Sequence, residues 1–176
     1  FDEVEIGLSY FSGTGRDPET FNFNGSVLTP HYAQIDQIGL DAQAIIEDWT
    51  WKLELISRQS NLQKYLAATA GLQYTLYGLF ESQRYLGIVI EYLYDDRGDQ
   101  ASSAFQNDIT TALRWALNDE QSTEVLLGII TDLNDTQVAS FVEASRRLGD
   151  EFKLTVEARS FNNTVAGRPL HDFRDD

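Results

Sequence analysis

Residues 38–55 read Ile38-Gly39-Leu40-Asp41-Ala42-Gln43-Ala44-Ile45-Ile46-Glu47-Asp48-Trp49-Thr50-Trp51-Lys52-Leu53-Glu54-Leu55. Apolar side chains fall at Ile38, Leu40, Ala42, Ala44 and Ile46, then at Trp49, Trp51, Leu53 and Leu55. Gly39, Asp41, Gln43, Thr50, Lys52 and Glu54 stand between them. A strand sends alternate side chains to opposite faces, so this period of two predicts two strands, each with one apolar and one polar face. Glu47-Asp48 supplies a tight turn between them.

The same period runs outward in both directions. Val4, Ile6, Leu8 and Tyr10 precede it; Leu66 to Tyr74, Leu86 to Tyr94, Ile109 to Leu117, Val125 to Leu133, Val138 to Leu148 and Phe152 to Ala158 follow. The reading is about nine strands of roughly 10 residues. Soluble strands most often have ~5–6 residues, whereas ~9–11 are needed to cross a bilayer at a tilt. The connections alternate in kind. Glu47-Asp48, Asn118–Ser122 and Gly149-Asp150 are short, with Glu81–Arg84 somewhat longer; Gly13–Tyr32, Asp95–Asn107 and the tail from Asn162 are long, and Ser60–Gln63 and Asn134–Thr136 fall on the same side as these. Tight turns at one rim and longer loops at the other are the layout of an outer-membrane barrel. Pro18, Pro30 and Pro169 are all expected in long loops, where no ladder N–H is lost.

Aromatic residues mark both expected rims. Trp49, Trp51, Tyr77, Tyr85, Trp115 and Phe152 sit near the tight turns, and Tyr10, Tyr65, Tyr92, Tyr94, Phe105 and Phe161 near the long loops. Aliphatic residues fill the strand centres. Two such bands are the pattern of interfacial girdles, whereas a soluble β-sandwich would put aromatics in the centres that pack its core. The expected fold is therefore all-β: an antiparallel up-and-down transmembrane β-barrel meander in one domain.

Three pieces carry a family resemblance: Glu143-Ala144-Ser145-Arg146-Arg147-Leu148-Gly149-Asp150 with Phe152-Lys153-Leu154, Trp49 to Glu54, and Glu91 to Gly98. They resemble hairpins of porin-like, largely uncharacterised outer-membrane proteins of proteobacteria, and in style the likeness extends over roughly Ala33 to Phe161. It implies a barrel fold, a location in the bacterial outer membrane and contact with outer-membrane lipid. It implies no substrate and no catalytic residue. Such barrels end on a strand closed by an aromatic residue and have an even strand number. Phe173-Arg174-Asp175-Asp176 reads as a loop and nine is odd, so the chain is expected to be incomplete at one or both ends.

Composition narrows the function. The 176 residues carry 13 Lys and Arg against 28 Asp and Glu, a net charge of −15. That disfavours nucleic acid, whose phosphates call for basic side chains. There is no Cys, hence no disulfide and no thiolate metal site. Alternation places Asp41, Lys52, Glu54, Arg58, Glu91, Arg114, Glu124, Asp132, Glu143, Arg147, Lys153, Glu157 and Arg159 on the inward, lumen-lining face. Acids and bases nearly balance there, so the excess charge belongs to loops and turns, and a ring of one sign is not expected. The inward charges either line a water-filled pore, seal a narrow barrel by cross-strand pairing, or keep the lumen wet. The expected function is a passive channel for small hydrophilic solutes. The alternative is a non-conducting structural barrel whose long loops contact partners.

Catalysis is not expected. His31 and His171 are the only histidines, both in expected loops, and no Gly-x-Ser-x-Gly is present. No cofactor is expected. The acidic loop Asp95-Asp96-Arg97-Gly98-Asp99 lacks the spacing of a calcium loop, and its Arg-Gly-Asp triplet is too short to imply adhesion. Phe21, Phe23, Val27 and Leu28 in the first long loop suit either an inward constriction or an outward contact.

Overall fold

The computed structural model describes residues 2–168, 170 and 171. The long strands are β1 (Glu3–Thr14), β4 (Gln34–Ile46), β5 (Trp49–Ser60), β6 (Lys64–Leu79), β7 (Arg84–Asp95), β8 (Asn107–Ala116), β9 (Glu124–Asp132), β10 (Val138–Leu148) and β11 (Phe152–Asn162). They form one antiparallel up-and-down sheet in that order. The first long connection holds a separate small hairpin of β2 (Thr20–Phe23) and β3 (Leu28–His31). Pro30 and His31 therefore lie in a strand, contrary to the loop expected for them. Pro30 opposes Phe21 in a two-stranded ribbon, where the missing N–H can face away from the ladder. Pro169 and the end of the tail lie outside the described residues.

The sheet is not closed as a barrel. β1 and β11 are its edges, and as the first and last of nine alternating strands they run in the same direction.

Pairing partners share a face, so the register assigns every side chain. One face carries rows such as Ile6, Ala42, Leu53, Ala70, Tyr92 and Ile109. The other carries Gly7, Asp41, Glu54, Thr69, Leu93, Asp108 and Asp132. Every buried residue of the long strands lies on this second, polar face, from Ile35, Tyr65 and Thr75 to Asp95, Asp108, Asp132 and Ala139. Conversely, among the exposed large apolar side chains of these strands, all but Phe11 and Tyr77 lie on the apolar face. A flat single layer would expose both faces alike. This one curls around its polar side.

The register also climbs. The row through Ile6, eight residues short of the end of β1 at Thr14, reaches β11 at its last residue, Asn162. The row at the β4–β5 turn, through Ile46 and Trp49, meets β10 at Val142, six residues before Leu148. Both rims thus step by one residue per strand in the same sense. With a rise of about 3.3 Å per residue and about 4.8 Å between strands, that step tilts the strands by about 35° from the rim normal.

Candidate functional site

All thirteen residues expected to face inward lie on the polar face. The strands bring several of them together. Arg114 Nη2 donates to both carboxylate oxygens of Glu124 at 3.0 and 3.1 Å. Arg159 Nη2 stands 3.5 Å from Glu157 and 4.0 Å from Glu143. Arg58 Nε donates to Gln37 Oε1 at 2.7 Å. Asp132 has a different job from its neighbours. It accepts the backbone N–H groups of Asn134 at 2.7 Å and Asp135 at 3.0 Å, and so holds the β9–β10 turn.

Of the twelve aromatic residues expected in the bands, Tyr10, Trp49, Trp51, Tyr92, Tyr94, Trp115 and Phe152 lie on the apolar face near the strand ends. Trp49 packs on Tyr74 at 4.5 Å between centroids. Tyr65, Tyr77, Tyr85 and Phe161 differ in phase by one residue and lie on the polar face, and Phe105 lies in the β7–β8 loop. Tyr65 is 4% exposed. The Arg97 guanidinium lies 3.7 Å from its ring centroid, and that of Arg58 5.6 Å.

Arg97 also donates to Asp95 through Nε at 2.9 Å and Nη2 at 2.6 Å. The Asp95 bonds hold its pKa above the ordinary arginine value. The arginine of the Arg-Gly-Asp triplet is consequently turned in, its side chain 15% exposed. Asp95, the first carboxylate of the acidic loop, is taken up by this pair.

At the long-loop rim the segment 163–171 folds back over the polar face. Val165 N–H donates to Gln137 Oε1 at 3.2 Å. Arg168 pairs with Asp99 and stands 2.7 Å from Asp135 Oδ2, an ion pair not aligned for a hydrogen bond. One arginine thereby ties the tail segment to the β7–β8 and β9–β10 loops. Leu170 is buried beneath it. With Phe105, Ile130, Ala139, Phe141 and Phe161 it lines a cavity of 480 Å³, and Glu143 and Arg159 stand at the side facing the short turns.

Glycines make room for the large inward side chains. A Cβ on Gly128 would lie 2.2 Å from Phe141 Cζ, so the ring lies flat over β9 only because position 128 has no side chain. Gly7 does the same for Asp41, and Gly71 for Glu91.

Sequence reading missed Arg168, Phe141 and Leu170, and it took Phe105 only as a band aromatic and Arg97 only as part of the acidic loop. Phe141 had a signal, since it occupies the polar phase of β10; the other four lie in loops, where periodicity says nothing. Comparison with protein-family models, curated proteins and solved structures gives no match.

Proposed function

We propose that this chain forms wall strands of an outer-membrane β-barrel of the porin-like kind, through which small hydrophilic solutes diffuse passively. One observation carries the reading: the sheet buries its polar face and exposes its apolar one. Water drives apolar surface inward, so this distribution suits a molecule whose outer solvent is hydrocarbon. Strand lengths of 9 to 16 residues, the tilt of about 35° and the aromatic residues at both ends of the apolar face support it.

Along β7 the apolar face runs from Leu86 to Tyr94. Eight residue steps at about 3.3 Å, tilted by about 35°, make a band about 21 Å tall before side-chain width is added, close to the ~25 Å of such barrels. Bare sheet edges in lipid would leave N–H and C=O groups unpaired, so β1 and β11 need further strands. Because the two edges are parallel, an antiparallel closure takes an odd number of them.

The segment 163–171 and the β7–β8 loop cover part of the polar face at one rim, which favours a plugged, non-conducting barrel as the second reading. Planar-bilayer recording of the full-length protein separates the two. Discrete conductance steps from protein with heat-modifiable gel migration are expected. Absence of conductance from protein so folded leaves the plugged barrel, and a β-rich monomer stable in water without detergent removes both.

A further inference from the structure

We infer that the cavity between β9, β10 and β11 is a binding site for a small zwitterion with an apolar side chain, of the chemistry of an aromatic or branched α-amino acid. Its volume of 480 Å³ falls within the ~300–1,000 Å³ of small-molecule sites. Its lining has two chemically distinct ends. Toward the long-loop rim Phe105, Phe161, Ile130 and Leu170 offer only carbon. Toward the short turns, Glu143 and Arg159 present one carboxylate and one guanidinium.

The two charges are held apart in a way that leaves them usable. Glu143 and Arg159 are diagonal neighbours across β10 and β11, and their closest atoms are 4.0 Å apart, beyond hydrogen-bond length. Glu157, directly opposite Glu143, accepts from the same Arg159 Nη2 at 3.5 Å, which leaves the other N–H groups of the guanidinium to a ligand. An ammonium and a carboxylate on one carbon span the same kind of gap. A ligand carboxylate on Arg159 and its ammonium on Glu143 would complete both groups and point the side chain into the apolar end. A solute with only an apolar body, or only one charge, forgoes the contact with at least one of these two groups.

As a place where a solute pauses, the site rests on the channel reading; binding itself does not. The test is therefore a titration of the folded full-length protein in detergent, followed by calorimetry, with three probes that share one phenylethyl body. These are L-phenylalanine, 2-phenylethylamine and 3-phenylpropionate. A hydrogen bond to a charged group contributes about 1.5–3 kcal/mol, so each singly charged probe is expected to bind about tenfold or more weaker than the amino acid.

Arg159→Gln should remove the preference for L-phenylalanine over the amine, and Glu143→Gln the preference over the acid. Gly128→Val should abolish binding of all three by displacing the Phe141 ring, with heat-modifiable migration confirming the fold. Equal binding of the three probes, no binding of any, or a preference unchanged in both charge variants overturns the site. Conductance of the same preparation reads the channel separately, so a conducting barrel that binds no amino acid refutes this inference alone.

Discussion

Ile90 is the position at which the lipid reading is most exposed to test. It lies on the apolar face of β7, five residues from Asp95 and six from Arg84. At about 3.3 Å per residue and a tilt of about 35°, it is about 13–16 Å from either end of the strand, near the middle of a bilayer core. Arginine there should cost about 2–4 kcal/mol in lipid, a 30- to several-hundredfold loss in the folded-to-unfolded ratio. In water the same change would be close to neutral, within about 0.5 kcal/mol, because the Ile90 side chain is already 47% exposed.

The control is Glu91→Arg, one residue along and on the polar face, where an arginine stays wet and should cost under about 1 kcal/mol. Urea unfolding of the protein in phospholipid vesicles, followed by tryptophan fluorescence, measures both. Equal losses for the two variants, or an Ile90→Arg variant as stable as the parent, would refute the assignment of faces to solvents.

Two further predictions concern the rims. Arg168→Gln should release the segment 163–171 from the neighbouring loops, at about 1–2 kcal/mol of local stability because its ion pairs are partly exposed. Amide exchange at Val165 should then accelerate about 5- to 30-fold, as raised salt should also do in part. At the opposite rim, the Thr123 N–H and hydroxyl donate to Asp119 at 2.7 and 2.8 Å and lower its pKa below the ordinary 3.8. A depressed carboxylate pKa stabilises the fold above the unfolded value and loses that contribution as pH falls through the folded one. Exchange protection of Thr123 should therefore be full above pH 3.8 and fade below it, and Asp119→Asn should remove this pH dependence.

The nine long strands were legible because a half-buried strand writes its two faces into alternate residues, as Ile38 to Leu55 does without interruption on its apolar side. The placement of all thirteen charged residues on one face followed from the same rule. The rule fails where phase and position disagree. Tyr65 is near a strand end, as a girdle residue should be, but one residue out of phase with Leu66, and that single step sends its ring under Arg97. The cavity was not legible either. Its carbon lining joins Phe141 and Phe161, separated by a turn, to Phe105 and Leu170 from loops whose path alternation does not encode. The β2–β3 hairpin was hidden by its four-residue strands, too short for a period to show.

The one-residue step of the rims means that a register row drifts in depth as it crosses the sheet, so charges at one depth on distant strands belong to different rows. Counted inward from the short-turn ends of their own strands, Asp41, Glu54, Glu143 and Glu157 each stand five residues in, with Glu91 at seven. Arg147 and Lys153 stand one residue in, Arg114 two and Lys52 three. Glu124 stands at the very end of β9 beside Arg114, and Arg159 stands seven residues in, beside Glu143 and Glu157. The near-neutral sum of the polar face is thus also kept locally, because at both depths the ladder sets a charge of one sign beside its opposite.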